Sequence, residues 1–313
     1  MSGVPAVTAE QRALRDALIR EGLLIDMGVD GLYGRGAVFE RIAAGLDRAI
    51  DAAIADVGAD AGTETMRFPP GFGRWQLEKS GYLKSFPHLA GMVTSFAGSD
   101  RDHRSLLDTL DQGGDWTKHQ TATAVALSPA ACYAAYPVLA RRGPLAEMGA
   151  WVDVSAWCFR HEPSLDPCRL QMFRMREHVR AGTAAQVLQF REQWMKRGQD
   201  FVSALGLSFH IDVANDPFFG RTGKLMAANQ REESLKFELL VPVTSTDKPT
   251  ACLSFNYHRD VLGSTWGLKA SSGDAAHTAC AAFGIDRLVL ALLARHGFDP
   301  VRWPAGVRSA LGL

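Results

Sequence analysis

The sequence predicts an α+β fold built on a mainly antiparallel sheet flanked by helices. Three observations carry that expectation: apolar strand-like stretches gather after residue 120, segments of helical periodicity precede and separate them, and the two do not alternate one for one as a parallel βαβ sheet requires. With 313 residues and 47% hydrophobic content, the chain has enough apolar surface for a large core. No repeat, low-complexity tract or linker composition interrupts it, which predicts one domain over 1–313 with an N-terminal helical segment at about 9–60.

Residues 9–25 and 37–57 ("AVFERIAAGLDRAIDAAIADV") carry apolar side chains at helical spacing with charges opposite, and predict helices. "RFPPGFGR" breaks the pattern at Pro69 and Pro70, and a further helix is expected from Arg74 to the punctuation of "SGYLKSFP". "TATAVALSP" and "WVDVSAWCF" predict strands on either side of a helix at 130–141. "CFRHEPS" and "CRLQMFRMREH" are joined by the turn-rich "PSLDPC", which predicts a strand hairpin. Alternation on its second strand assigns Arg169, Gln171, Phe173, Met175 and Glu177 to one face. "AAQVLQFREQWMKRGQDFVSALGL" reads as an amphipathic helix closed by Gly206, and "FELLVPV" and "ACLSFNY" as strands. The last strongly apolar helix, "FGIDRLVLALLARHG", is entered through Gly284 and ends at Gly297.

Thirty-four basic residues balance thirty-four acidic ones, so no overall positive field is available to hold DNA or tRNA. The N-terminus lacks a signal-peptide pattern and no 18-residue apolar run occurs, so a cytoplasmic protein with no membrane partner is expected. Five cysteines are an odd number and too few for a disulfide scaffold. Each is either a buried small hydrophobe or a metal ligand or nucleophile. His161, His178, His258 and His277 are read as satisfied polar or core residues.

The stretch "QMFRMREHVRAG" sets Arg174, Arg176 and Arg180 around Phe173 and a single Glu177. A guanidinium held beside an apolar element needs an anionic partner, and its fork suits carboxylate or phosphate. The pattern leaves two readings open, a site for a nucleotide and small substrate or a solvated strand face.

"FRHE", the downstream arginine, phenylalanine and glutamate, and the distant "GIDRLVLALL" resemble motifs 2 and 3 of class II aminoacyl-tRNA synthetases. The likeness is to the zinc-dependent seryl enzymes of methanogens, extends through "KFELLVPV" and "SFNYH", and covers roughly residues 120 to 296. "LEKSGYLKSFPHL", with Pro87, stands where motif 1 is expected. The resemblance implies a class II synthetase-like catalytic core and a homodimer. It implies that Arg160 holds the α-phosphate of ATP and the substrate carboxylate, that Glu162 contacts the adenine and that Arg169 reaches the γ-phosphate. Phe173 then stacks on the adenine, with Arg287 covering its other face and binding the γ-phosphate, so that Arg160 and Arg287 carry the catalysis. A Mg²⁺-binding glutamate of the seryl enzymes is replaced here by "KPTAC", and Glu238 is the substitute ligand beside ATP. Cys132, Glu177 and Cys280 match the zinc ligands of that branch, implying one Zn²⁺ per chain with an open position for a substrate amine.

A seryl-tRNA synthetase carries a tRNA-binding domain ahead of its core, and no such segment is found here, so tRNA is not an expected partner. The family most resembled is the amino acid:[carrier protein] ligases, truncated bacterial homologues of those synthetases. The implied function is ATP-dependent activation of glycine, then alanine, and transfer to the phosphopantetheine thiol of an acidic carrier protein. "FFGRTGKLMAANQREESLKFE" offers a basic docking helix with Arg221, Lys224 and Arg231, and the helix at 184–205, with Arg191, Lys196 and Arg197, is its rival. Two other readings remain: a free-standing seryl-synthetase-like enzyme with another acceptor, and a non-catalytic paralogue that senses an amino acid.

Overall fold

The computed structural model describes residues 6–58 and 62–313. The first helix, α1 (Ala9–Arg20), starts at a capping box in which Thr8 and Gln11 satisfy each other's backbone amides. It stops short of the expected residue 25. Gly22 takes a left-handed φ of +66°, and the chain turns into a hairpin, β1 (Leu24–Val29) and β2 (Leu32–Arg35), around Asp30 and Gly31. An Asp-Gly pair between alternating apolar residues is a hairpin signal, and it overrides the helical spacing at the segment's end. The N-terminal segment is therefore helix, hairpin and helix, the last being α2 (Ala37–Gly58).

A short run follows: β3 (Glu64–Arg67), β4 (Gly71–Gly73), α3 (Arg74–Lys79), α4 (Tyr82–Ser85), β5 (Met92–Phe96), α5 (Asp100–Asp111) and β6 (Gln120–Leu127). Strands β4, β6 and β5 make a small sheet in that order. A 3-10 turn at Ala131–Ala134 leads into α6 (Ala135–Ala140), in place of the single helix expected at 130–141. The expected hairpin follows as β7 (Ala150–Phe159) and β8 (Met172–Gly182), paired antiparallel over ten residue pairs. After it come α7 (Ala184–Ala204), β9 (His210–Val213), α8 (Gly220–Glu232), β10 (Lys236–Val241), β11 (Thr250–Arg259), α9 (Val261–Trp266), β12 (His277–Gly284), α10 (Ile285–His296) and α11 (Ala305–Leu311).

The large sheet has the order β3-β7-β8-β12-β11-β10-β9, antiparallel throughout except for the parallel edge pair β3 and β7. The α+β expectation holds. Helices α2, α7, α10 and α11 cover one face, where Phe39, Ile42, Trp194, Phe283 and Leu290 are buried in the main core. A second core lies on the opposite face, where Cys132 and Tyr136 meet Val154, Val179, Trp266 and Cys280. The Pro87 segment, offered as motif 1, lies in α4 and the turn after it and contributes no strand to the large sheet.

The helix-covered face answers part of the arginine question. Arg174, Arg176 and Arg180 alternate with Phe173, Met175 and Glu177 on β8, and Arg174 and Arg176 turn toward the helices. Arg176 bonds Asp153 at 2.9 Å and also pairs with Asp51, while Arg174 pairs with Asp286 at 3.0 Å and Glu40 at 2.6 Å. Arg35 joins the same Asp286 at 3.1 Å. These arginines have carboxylate partners within the protein and hold helices to sheet.

Candidate active site

The other face of β8 presents Phe173, Met175 and Glu177, as alternation predicts, but the strand begins at Met172, so Arg169 and Gln171 belong to the preceding loop. Gln171 still closes the ladder, its carbonyl accepting from the Arg160 amide at 3.0 Å. Register carries this face across the sheet. Glu177 is opposite Ala282, Ala282 opposite Ser254, and Ser254 opposite Glu238. One row thus crosses four strands from Glu177 to Glu238, and the neighbouring row, roughly 7 Å away along the strands, runs through Cys280, Asn256 and Lys236.

Arg160 follows the last residue of β7. Its Nε donates to the Pro129 carbonyl at 3.0 Å, and its guanidinium lies 5.4 Å from the centre of the Phe173 ring. Arg287, on the first turn of α10, is anchored by carbonyls too, to Cys168 and Ala251 at 3.0 Å each. Among the described residues neither arginine forms an ion pair with a carboxylate, in contrast to Arg174 and Arg176. Two rigidly held guanidiniums without a protein counter-ion make a place for an anion. Arg169 pairs with Glu162 at 3.1 Å on the loop between the hairpin strands, so these two expected nucleotide contacts are neighbours. Glu238 is bound by Lys236 at 3.0 Å, and Lys236 also bonds Asp216 at 2.5 Å, so any cation offered to Glu238 shares it with a lysine.

Cys132, Glu177 and Cys280, 148 residues apart at the extremes of the sequence, come together beneath the 3-10 turn. The Cys132 amide donates to Glu177 Oε1 at 3.1 Å, and Cys132 and Cys280 are buried in the same core. All three are buried. Burial first, and the sulfur of Cys280 second, push the Glu177 carboxyl up to about 8. The hydrogen bond from Cys132 draws Cys280 well below the usual thiol range against the cost of burial, and raises Cys132 in turn. The sequence missed the neighbours that assist. Asn256 Nδ2 donates to Cys280 Sγ at 3.2 Å and His258 Nε2 lies 3.8 Å from it. Their signal was present in "SFNYH", where Ser254, Asn256 and His258 alternate on a strand next to that of Cys280. Among the described residues no group of three or more His, Cys, Asp or Glu has the arrangement of a formed metal site. The three expected ligands thus meet as a buried cluster of two cysteines and a carboxyl, with the Cys132 amide bonded to Glu177.

The other cysteines, Cys158, Cys168 and Cys252, are buried and free, as expected of small core residues. His277 bonds the Tyr257 hydroxyl at 2.7 Å and His161 bonds Gln171 at 3.2 Å. His178 is a core histidine: its ring stacks on Trp194 with centroids 4.5 Å apart, and among the described residues neither of its buried ring nitrogens has a partner. On α8, Lys224 and Arg231 are exposed, with Arg231 donating to Asn215 at 3.2 Å, while the Arg221 side chain lies outside the described residues. On the rival α7, Arg191 and Arg197 are half-buried and bonded to the carbonyls of Ser234 and Ala53.

No family model matches the chain. It is 50% identical over 295 residues to amino acid–[acyl-carrier-protein] ligase 1 of Bradyrhizobium diazoefficiens, a match covering 94% of this chain and 89% of that protein. Ligase 2 of the same organism is 50% identical over 300 residues, covering 96% of this chain and 87% of its own. The type-2 serine–tRNA ligase of Methanopyrus kandleri is 30% identical over 162 residues, 49% of this chain and 31% of that enzyme. Among solved structures, M. kandleri seryl-tRNA synthetase in complex with a tRNA superposes with a TM-score of 0.77 at 21% identity, covering 95% of this chain and 60% of that one. Prolyl-tRNA synthetase of Giardia lamblia, solved with prolyl-adenylate, gives 0.66 at 13% identity over 91% of this chain and 52% of its own. The sheet and its flanking helices are thus those of a class II synthetase core.

Proposed function

The chain belongs to the family of amino acid–[acyl-carrier-protein] ligases, and from that premise we propose that it activates glycine, and next alanine, with ATP and passes the aminoacyl group to the phosphopantetheine thiol of an acidic carrier protein. The observation that carries the nucleotide half of this reading is the pair Arg160 and Arg287, held by backbone carbonyls and lacking carboxylate partners among the described residues.

In the first step a carboxylate oxygen of the amino acid attacks the α-phosphorus of ATP, brought in as its Mg²⁺ complex, and the bond to pyrophosphate breaks. Arg160 neutralises the α-phosphate and aligns the carboxylate, Phe173 stacks on the adenine with Glu162 at its edge, and Arg169 and Arg287 bind the γ-phosphate. Glu238 is the ligand we assign to Mg²⁺. This is positioning together with charge neutralisation, which suits a step whose developing charge lies on phosphate oxygens. In the second step the carrier's sulfur attacks the acyl carbon, the bond to AMP breaks and the thiol proton is released.

Cys132, Glu177 and Cys280 are the residues that would hold a zinc ion, and their convergence from three separate elements supports that assignment. Bound there, the metal would supply a Lewis acid for the substrate amine. The choice of glycine and alanine is supported by the resemblance and by the absence, in the sequence, of an identified partner for a serine hydroxyl.

For the carrier we assign α8. Exposed Lys224 and Arg231 answer an acidic partner, Leu225 and Met226 stand exposed beside them, and the arginines of α7 are already engaged. Arg221 belongs to the same helix. We also assign a homodimer, as in class II cores generally, and a cytoplasmic place; no helix among the described residues is long and apolar enough to cross a membrane. The test is amino-acid-dependent exchange of pyrophosphate into ATP across all twenty amino acids. Exchange with glycine strongest and alanine next is expected; a strong preference for serine overturns the specificity, and no exchange with any amino acid overturns the reading.

A further inference from the structure

Tyr82 has no role in the reaction as described, yet its position calls for one. It opens α4 in the segment between β4 and β5, and is 5% exposed. Its hydroxyl is buried and has no hydrogen-bond partner among the described residues. A buried hydroxyl without a partner is costly, and a fold with no use for it does better with phenylalanine.

The ring is fixed on both sides. Phe86 lies at 5.1 Å and Tyr133, the residue after Cys132, at 5.7 Å edge-on. Burial, above all, keeps it protonated, pushing it up to about 12, with smaller effects from Arg160, Glu162, Asp216 and Cys158. It is a neutral donor whose ring packs on the residue after Cys132. Its segment is tied to the site at two points. The His161 amide donates to the Leu89 carbonyl at 3.1 Å, and the Phe219 amide, at the foot of α8, donates to the Ser85 carbonyl at 2.9 Å.

We propose that Tyr82 is a substrate-binding residue whose hydroxyl donates a hydrogen bond to the carboxylate of the amino acid beside Arg160. The inference rests on the functional reading above: an amine directed to the cluster of Cys132, Glu177 and Cys280, and a carboxylate directed to Arg160, leave the carboxyl group between them, in the neighbourhood that Tyr82 meets through Tyr133 on one side and its segment meets through His161 on the other. The same bond carries over to the acyl carbonyl oxygen once the adenylate forms.

Tyr82→Phe removes one oxygen and keeps the ring. Pyrophosphate exchange on purified wild-type and variant enzyme gives KM for glycine, KM for ATP and kcat, and thermal unfolding gives Tm. The expected result is a glycine KM raised about tenfold, as for loss of a hydrogen bond to a charged group, with the ATP KM unchanged and the Tm unchanged or raised, since the variant removes a buried hydroxyl. A variant whose glycine KM and kcat equal those of the wild type overturns the proposal. So does a lowered Tm with both KM values raised together, which marks a hydroxyl serving the fold. A wild type that exchanges no amino acid overturns the functional reading and this inference with it, whereas a wild type that exchanges while Y82F matches it overturns the inference alone.

Discussion

The guanidinium of Arg160 lies 5.4 Å from the centre of the Phe173 ring, and it reaches that place anchored to a carbonyl rather than to a carboxylate. Arg176, three residues beyond Phe173, is held by Asp153 and Asp51 on the other side of the same sheet. One hairpin therefore carries two kinds of arginine, one kind set aside for a ligand and one kind fastened into the fold.

Arg287→Ala is expected to lower pyrophosphate exchange by on the order of 10²-fold or more, since a charge that stabilises the transferring phosphoryl group is lost. Circular dichroism is expected to be unchanged, because the arginine's partners are two backbone carbonyls. Near-wild-type exchange by this variant contradicts the phosphate role.

Asp286→Ala is expected to act on stability instead. Asp286 is buried and holds both Arg35 and Arg174, so its removal leaves the buried Arg35 guanidinium without a carboxylate and Arg174 with Glu40 alone, and costs about 3–5 kcal/mol, read as a lower urea midpoint. A midpoint like that of the wild type contradicts the structural assignment of these arginines.

The hairpin, the last helix and the class II character were legible in the sequence because each has a local signature: turn residues in "PSLDPC", unbroken helical spacing in "FGIDRLVLALL", and motif residues in fixed order. The gathering of Cys132, Glu177 and Cys280 was legible through family resemblance alone, since spacing over 148 residues encodes no contact. What was missed had non-local causes. The placing of Arg169 and Gln171 in a loop depends on where the strand begins, Met172, which is a matter of loop length between β7 and β8. Lys236, Asp216 and Tyr82 carry no motif, and their meaning comes from strand register and from a buried hydroxyl. The overrun of α1 was avoidable, because "VDGLYG" holds an Asp-Gly hairpin signal.

Zinc analysis of the purified protein is expected to give about one ion per chain, bound by three protein groups. Cys132→Ala and Cys280→Ala are each expected to lose the metal together with exchange. Full zinc in both variants removes these residues from the assignment.

His178 predicts an acid sensitivity. Burial, above all, depresses its folded-state pKa to about 3 from an ordinary 6.5, so between those values the unfolded chain binds a proton that the folded one refuses. Stability is then present above pH 6.5 and falls as the pH drops toward 3, by roughly 1.4 kcal/mol per pH unit at most from this group. His178→Phe keeps the stack on Trp194, 4.5 Å between centroids in the wild type, and is expected to flatten the slope between pH 7 and 5 in urea titrations. An unaltered slope rules out this histidine as its source.

The acceptor of the aminoacyl group is the centre of the account. Enzyme, ATP, Mg²⁺ and radiolabelled glycine are incubated with holo-carrier protein, apo-carrier protein or total tRNA, and the product is treated with hydroxylamine. Label is expected on the holo-carrier alone, as a hydroxylamine-sensitive thioester, and Lys224→Glu with Arg231→Glu is expected to slow its transfer while leaving pyrophosphate exchange intact. Efficient labelling of tRNA, or of the apo-carrier, contradicts transfer to a phosphopantetheine thiol.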